Sequence, residues 1–192
     1  MRYYSRSKDK VDYVMRKARI AIFDLDGSLV ETDEANSAAY EYALARFDVH
    51  GVRGLQGRIT AGTVREMGLC RVDIDTVIKA KGGIYCKELW RTRLGPAADA
   101  LRRAILGRNA FGKIVLLTQS AERRALETLR YHGLVKCFDE IVCNCGRGNK
   151  YTNYFAAFDS DPAACVVWEN EEGQVMSAIA AGVKQENIRK AG

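Results

Sequence analysis

Asp24 and Asp26 stand one residue apart in Asp-Leu-Asp-Gly, directly behind the apolar run Arg19 to Leu25. Two carboxylates at that spacing can divide labour. One attacks as a nucleophile while its neighbour gives and takes protons. Farther along, Thr118 closes the run Lys113 to Leu117, Lys150 opens the helical stretch Lys150 to Phe158, and Glu169 and Asn170 follow the run Ala164 to Trp168. Each residue alone has an ordinary reading. Asp-Gly is a common turn, a threonine caps a strand end, a lysine sits in solvent, and Glu169, Glu171 and Glu172 suit the first turn of a helix. Together they suit phosphoryl transfer. A phosphoester is anionic, so a carboxylate can attack it only where charge is cancelled. Mg²⁺ takes hard oxygen ligands, and a lysine with hydroxyl or backbone donors can hold the remaining phosphoryl oxygens. A Ca²⁺ loop does not fit, because Gly27 comes too early and no glutamate occupies the twelfth place.

These residues act together only if the chain brings strand ends to one edge. Four short apolar runs, at Arg19–Leu25, Lys113–Leu117, Phe138–Cys143 and Ala164–Trp168, read as buried strands. Between them lie amphipathic stretches: Ala97 to Ile105, Ala121 to His132 with Ser120 as its expected N-cap, Lys150 to Phe158, and Glu172 to Ala181. Gly133 and Gly182 stand where helices stop. Strands alternating with helices imply a parallel sheet with helices on both faces, an α/β Rossmann-like three-layer core. In such sheets, ligands bind beyond the carboxyl ends of the strands, which is where the candidate residues fall. Residues 32–93 are too long for a simple strand-to-helix connection. They hold helical stretches at Ala35–Phe47, Val64–Met67 and Ile74–Ala80, with Gly51, Gly54, Gly57 and Gly62 among them. The expected division is a core of residues 19–31 and 94–192, a small helical cap of 32–93 inserted after the first strand, and a basic helical extension of 1–18.

Composition narrows the class. The chain has 192 residues, 47% hydrophobic and 28% charged, so a disordered or fibrous protein is excluded. No apolar run approaches the roughly 18 residues of a membrane span, and the basic N-terminus lacks a signal peptide's apolar stretch. The expectation is a cytoplasmic protein with no membrane partner, a monomer or homodimer, its six cysteines reduced. None forms a C-x-x-C pair, and His50 and His132 lie near neither Cys143 nor Cys145, so the spacing does not suit structural zinc. The net charge is +6, and residues 1–20 carry most of it, seven basic residues against two acidic. With Tyr3, Tyr4 and Tyr13 interleaved, that segment leaves nucleic acid as an alternative partner, although Val11, Val14, Met15 and Ala18 also fit one face of a solvated amphipathic helix.

The motifs resemble those of the haloacid dehalogenase-like superfamily, in its phosphoglycolate-phosphatase-like and β-phosphoglucomutase-like branch with a helical cap. The carrying segments are FDLDGSLVET (23–32), IVLLTQS (114–120), Lys150 in GNKYTNYFAAF, and VVWENEEGQVMSAIAAGV (166–183). The resemblance implies an Mg²⁺-dependent phosphatase acting on a small phosphorylated metabolite through an aspartyl-phosphate. Asp24 is then the nucleophile and Asp26 the general acid and base. Thr118, Gln119 and Lys150 bind phosphate, and Asp24, Asp26 (through its backbone carbonyl), Glu169 and Asn170 bind the metal. A phosphomutase with the same core is the alternative, as is a catalytically weakened relative that binds a phosphorylated ligand or partner. The family's acidic pair commonly ends in Asp, where this chain has Asn170, and that removes one negative charge from the implied metal site. Arg53, Arg58, Arg65 and Lys79 are the cap residues expected to meet an anionic substrate.

Overall fold

The computed structural model describes residues 19–49, 59, 61–67, 73–107, 110–144 and 148–191. In chain order the elements are β1 (Arg19–Phe23), β2 (Val30–Glu31), α1 (Asp33–Ala45), α2 (Ala61–Glu66), α3 (Ile74–Tyr85), β3 (Arg93–Leu94), α4 (Ala98–Leu106), β4 (Phe111–Thr118), α5 (Glu122–Tyr131), β5 (Glu140–Cys143), α6 (Lys150–Phe158), β6 (Cys165–Glu169), α7 (Glu172–Ala180) and β7 (Ile188–Lys190). The basic segment 1–18, Arg53, Arg58, Cys70 and Cys145 lie outside the described residues.

The apolar runs become strands because neither of their faces meets water. Alternate residues enter opposite cores. Ala21, Phe23, Ile114 and Leu116 pack with Ala100, Leu101 and Ala104 of α4 and with Ala125 and Leu129 of α5. Ile22, Val115 and Leu117 pack on the other face with Tyr151, Tyr154 and Phe155 of α6 and Ala178 of α7. A buried side chain of this size contributes roughly 1.5–3 kcal/mol, so each strand is fixed from both sides. The sheet runs β5-β4-β1-β6-β7, parallel throughout. This is the expected three-layer α/β arrangement, with one strand more than the apolar runs foretold. β7 is three residues long, and two of them are exposed, too few for a periodic signal.

β1 lies in the middle, its last residue Phe23 level with Leu116 of β4 and Trp168 of β6. Phe23 stacks on Trp168, ring centroids 4.3 Å apart and nearly coplanar at 5°. The ends of β1, β4 and β6 therefore finish together, and the Asp24 amide bonds to the Trp168 carbonyl at 3.1 Å. Beyond Asp24 the chain folds back on itself. Leu29 and Val30 donate to the Leu25 carbonyl, Gly27 donates to Val30, and Gly27 takes a φ of 76°, which glycine tolerates best. The turn sets Asp26 beside Asp24 with its side chain near the top of the sheet.

β2 and β3 pair antiparallel, Val30 with Leu94 and Glu31 with Arg93. They carry the chain into and out of the segment holding α1, α2 and α3. Gly95 presses so close to the Ser28 carbonyl that a β-carbon there would sit 2.4 Å from its oxygen. The inserted helices bury a core of their own. Tyr40, Ala43 and Leu44 of α1 meet Ile59, Val64 of α2 and Val77 of α3. The Asn36 amide donates to the Ile59 carbonyl at 2.6 Å.

Candidate active site

Asp24 and Asp26 are both buried, and each finds a different cation. The Lys150 ammonium donates to Asp24 Oδ1 at 2.6 Å and lies 2.8 Å from Glu169 Oε2. Lys150 is the first residue of α6, whose N-cap Asn149 accepts hydrogen bonds from the amides of Tyr151 and Thr152. Asn149 also donates its amide to the Ser177 carbonyl of α7 at 2.6 Å, so two helices fix where Lys150 starts. Glu169, at the end of β6 and fully buried, is held on both oxygens. Tyr151 donates its hydroxyl to Oε2 at 2.8 Å, and the Asn170 amide donates to Oε1 at 3.1 Å. A buried carboxylate needs such partners, since an unpaired charge out of water costs several kcal/mol.

Burial pushes the Asp24 carboxyl up to about 7 against the pull of Lys150, and Glu169 and Asp26 push the same way. Burial works to lower the Lys150 ammonium, but Asp24 and Glu169 outweigh it and raise it above the usual lysine value. Lys150 is thus a fixed positive charge in the cluster.

Asp26 is held by a different group of residues. Arg124 of α5 meets it with two nitrogens, at 2.6 Å to Oδ1 and 3.1 Å to Oδ2. Thr32 donates to Oδ1 at 2.6 Å and Ser120 donates to Oδ2 at 2.5 Å. The expected capping role of Ser120 is therefore corrected. Ala121 is the N-cap of α5 and makes no side-chain cap bond. The Ser120 hydroxyl instead donates to the Asp26 carboxylate and accepts from Arg124. Burial works to lower the Arg124 guanidinium, while Asp26 and Tyr85 more than offset it and raise it. The guanidinium carbon lies 4.5 Å from the centroid of the Tyr85 ring, and Tyr85 Oη lies 3.1 Å from Thr128 Oγ1. Tyr85 ends α3, so Arg124 bridges the sheet edge and the inserted helices.

A cavity of about 600 Å³ opens over these groups, lined by Asp24, Asp26, Thr118, Gln119, Ser120 and Lys150 among others. The residues expected at the strand ends meet at this edge, with Glu169 also on the wall and Asn170 next to it in sequence, its amide against Gly27. Thr118 ends β4, and its Oγ1 accepts from the Ser120 amide at 3.1 Å. Gln119 is exposed and donates to the Gly148 carbonyl at 3.4 Å. Of the expected cap residues within the described chain, neither lines the cavity. Lys79 is exposed, and Arg65 pairs loosely with Asp75 at 3.8 Å. Lys81 of α3 lines it instead, with Arg124. Thr32 and Ser120 lie within the quoted motifs, and Arg124, in the first turn of α5, donates back to the Ser120 hydroxyl at 2.5 Å.

Among the described residues, no cluster of three or more His, Cys, Asp and Glu side chains could hold a metal. A hard cation does not require one, because neutral oxygens serve as well. Asn170 Oδ1 is buried and has no hydrogen-bond partner, and the same holds for Gln174 Oε1 one turn along. Gln174 lines the cavity together with Asp24, and carbonyl oxygens of this kind suit a hard cation such as Mg²⁺. Among the described residues, no helix is long and apolar enough to cross a membrane.

The fold, an α/β core with helices inserted after the first strand, is similar to that of solved haloacid dehalogenase-like hydrolases. A haloacid dehalogenase-like family hydrolase from Streptococcus pneumoniae superposes with a TM-score of 0.68 at 16% identity, over 86% of this chain and 82% of that one. A protein assigned as a β-phosphoglucomutase from Thermotoga maritima gives 0.68 at 23% identity, over 90% and 84%. CbbY from Rhodobacter sphaeroides, solved in complex with phosphate, gives 0.66 at 19%, over 87% and 84%. At these identities the likeness is one of fold. No protein-family model and no curated protein matches the sequence.

Proposed function

We propose that the chain is a phosphatase that hydrolyses a small phosphorylated metabolite through an aspartyl-phosphate on Asp24. The observation that carries this reading is the pairing of Asp24 with Lys150 at 2.6 Å, on the wall of a cavity that Asp26 and Thr118 share. A carboxylate attacking a phosphoester needs a fixed cation beside it, and Lys150 is one that two acids hold charged against the pull of burial.

Asp24 Oδ attacks phosphorus and the ester P–O bond breaks. Asp26 delivers its proton to the departing oxygen. A water then attacks phosphorus, Asp26 takes the water's proton, and the acyl-phosphate bond opens to return the Asp24 carboxylate and inorganic phosphate. Thr118, Gln119 and Lys150 hold the phosphoryl oxygens, and residues 32–93 act as the cap that excludes water. Asp24, the Asp26 carbonyl and Asn170 are the residues to hold Mg²⁺, which supplies positive charge for the phosphoryl group when bound. Glu169, already satisfied by Lys150 and Tyr151, acts by fixing Lys150.

Phosphate release from a panel of phosphoesters, with and without Mg²⁺, tests this. Release should require Mg²⁺ and fall by about 10⁴-fold or more in Asp24→Asn. Release in that variant within tenfold of wild type would remove Asp24 from its role. Conversion of a sugar phosphate to its isomer, with no phosphate released, would favour the mutase.

A further inference from the structure

Glutamine at the third position of a helix has an ordinary job. Its side chain reaches back to the amide of the N-cap residue. Gln174 stands at that position in α7, with Glu171 as the N-cap, and it does not do this job. The Glu171 amide donates to Glu169 Oε1 at 3.5 Å, an oxygen that also takes the Asn170 amide at 3.1 Å. Gln174 Oε1 is left buried with no hydrogen-bond partner. A buried acceptor without a donor is costly, and an ion, a water or a catalytic role accounts for such an atom in a native chain.

Asn170 is in the same condition four residues earlier. Its Oδ1 is also buried and unpartnered. Its side chain lies against Gly27, the residue bonded to the Asp26 carbonyl. A β-carbon on Gly27 would sit 2.3 Å from Asn170 Nδ2 and 3.7 Å from Oδ1, so only glycine leaves room for the amide. Gln174 in turn shares the cavity wall with Asp24 and Asp26. Both unspent oxygens belong to the stretch that leads from β6 into α7, and neither belongs to the inserted helices. An amide oxygen accepts hydrogen bonds and suits hard cations. The positive end of the α7 dipole repels a cation, so a cation near that helix start needs oxygen donors there to offset it. Mg²⁺ gives up its waters reluctantly and keeps several, and each of those waters is a donor that needs an acceptor.

We propose that Gln174 is a further donor to the Mg²⁺ site, its Oε1 meeting the ion or one of the waters the ion keeps, so that a second neutral oxygen partly makes up for the charge that Asn170 does not bring. This rests on the phosphatase reading, in which the site takes Mg²⁺. Gln174 acts through the ion. It is a positioning residue, with no part in proton or phosphoryl transfer.

Two substitutions test this. Gln174→Met keeps the length and removes the acceptor, and Gln174→Glu keeps the shape and adds a charge. Mg²⁺ alone is titrated calorimetrically into the whole protein, and Mn²⁺, followed by its electron paramagnetic resonance signal, is a second probe. Gln174→Met should weaken both by about tenfold, the lower end of what is lost with a group that supports a metal through its ligands or waters. Gln174→Glu should tighten both. Without metal, Gln174→Met should unfold at the same denaturant concentration as wild type or a higher one, because it removes a buried acceptor that has no partner. A residue with a purely structural role would lower it. Affinities unchanged in both variants would overturn the inference and leave Gln174 to accept from a hydroxyl of the substrate. A wild type that binds neither ion would overturn it too. If wild type binds Mg²⁺ in this Gln174-dependent way and releases phosphate from no ester, the phosphatase reading fails and the cation donor stands. If release requires Mg²⁺ while both variants bind the ion as wild type does, the reverse holds.

Discussion

Asp24 and Asp26 are separated by a single residue, yet the structure gives them separate neighbourhoods. Asp24 looks to the C-terminal half of the core, where Lys150 and Glu169 answer it from α6 and β6. Asp26 looks toward the inserted helices, where Thr32 precedes α1 and Arg124 leans on Tyr85 of α3. Among the described residues, the partners of the first neighbourhood come from β6 and α6 of the core and not from residues 32–93. The second spans the junction. In the proposed mechanism the fixed charge therefore sits on the sheet side, and proton transfer sits at the junction with the inserted helices.

That contrast can be broken from either end. The largest effect is expected of Lys150→Met. It should cut kcat/KM by about 10³-fold and, by leaving Asp24 and Glu169 buried without their cation, cost roughly 3–5 kcal/mol of stability, read as a drop in denaturant midpoint. Asp26→Asn leaves the buried Arg124 guanidinium without its carboxylate and so should also lower stability, and it should cost about 10²-fold on alkyl phosphates, with a smaller loss on p-nitrophenyl phosphate, whose leaving group needs no proton. Equal losses on both esters would count against a proton role for Asp26. Asn170→Asp should lower the half-saturating Mg²⁺ concentration by about tenfold, because it restores a charge to the donor set. An unchanged Mg²⁺ titration would move that duty to Glu171 or Gln174. The smallest effect belongs to Tyr151→Phe, which removes one hydrogen bond from Glu169 and should cost about 1–3 kcal/mol in a melting experiment while the Asp26 side stays untouched.

The neighbourhood of Asp24 was the more legible of the two in the sequence. Strands β1, β4 and β6 are buried on both faces and so appear as unbroken apolar runs, and the residue after each run is a site residue by topology alone. β2 and β3 have two residues each and β7 has three, too few for any period to show. The junction was harder to see. Ser120 reads as a helix cap until Asp26 is known to face it from 94 residues away. Arg124 reads as one more polar residue of an amphipathic helix, because its partner lies 98 residues earlier. Ile74 to Ala80 reads as a helix, but α3 continues to Tyr85, and the extra turn holds the two residues that meet the cavity and the Arg124 guanidinium, Lys81 and Tyr85. What was missed is what depends on two distant segments meeting, which no local pattern encodes.

The antiparallel step of Glu31 against Arg93 has one more consequence. The two points where the chain leaves and rejoins the sheet side are neighbours, so the distance to be closed is the same whatever hangs between them. Loop-closure entropy grows only as the logarithm of length. The doorway therefore lets the inserted stretch lengthen, shorten or be exchanged for another with little penalty to the sheet, while Asp24 and Lys150 go on meeting underneath. Selectivity can drift through that opening generation after generation without the chemistry having to be reinvented.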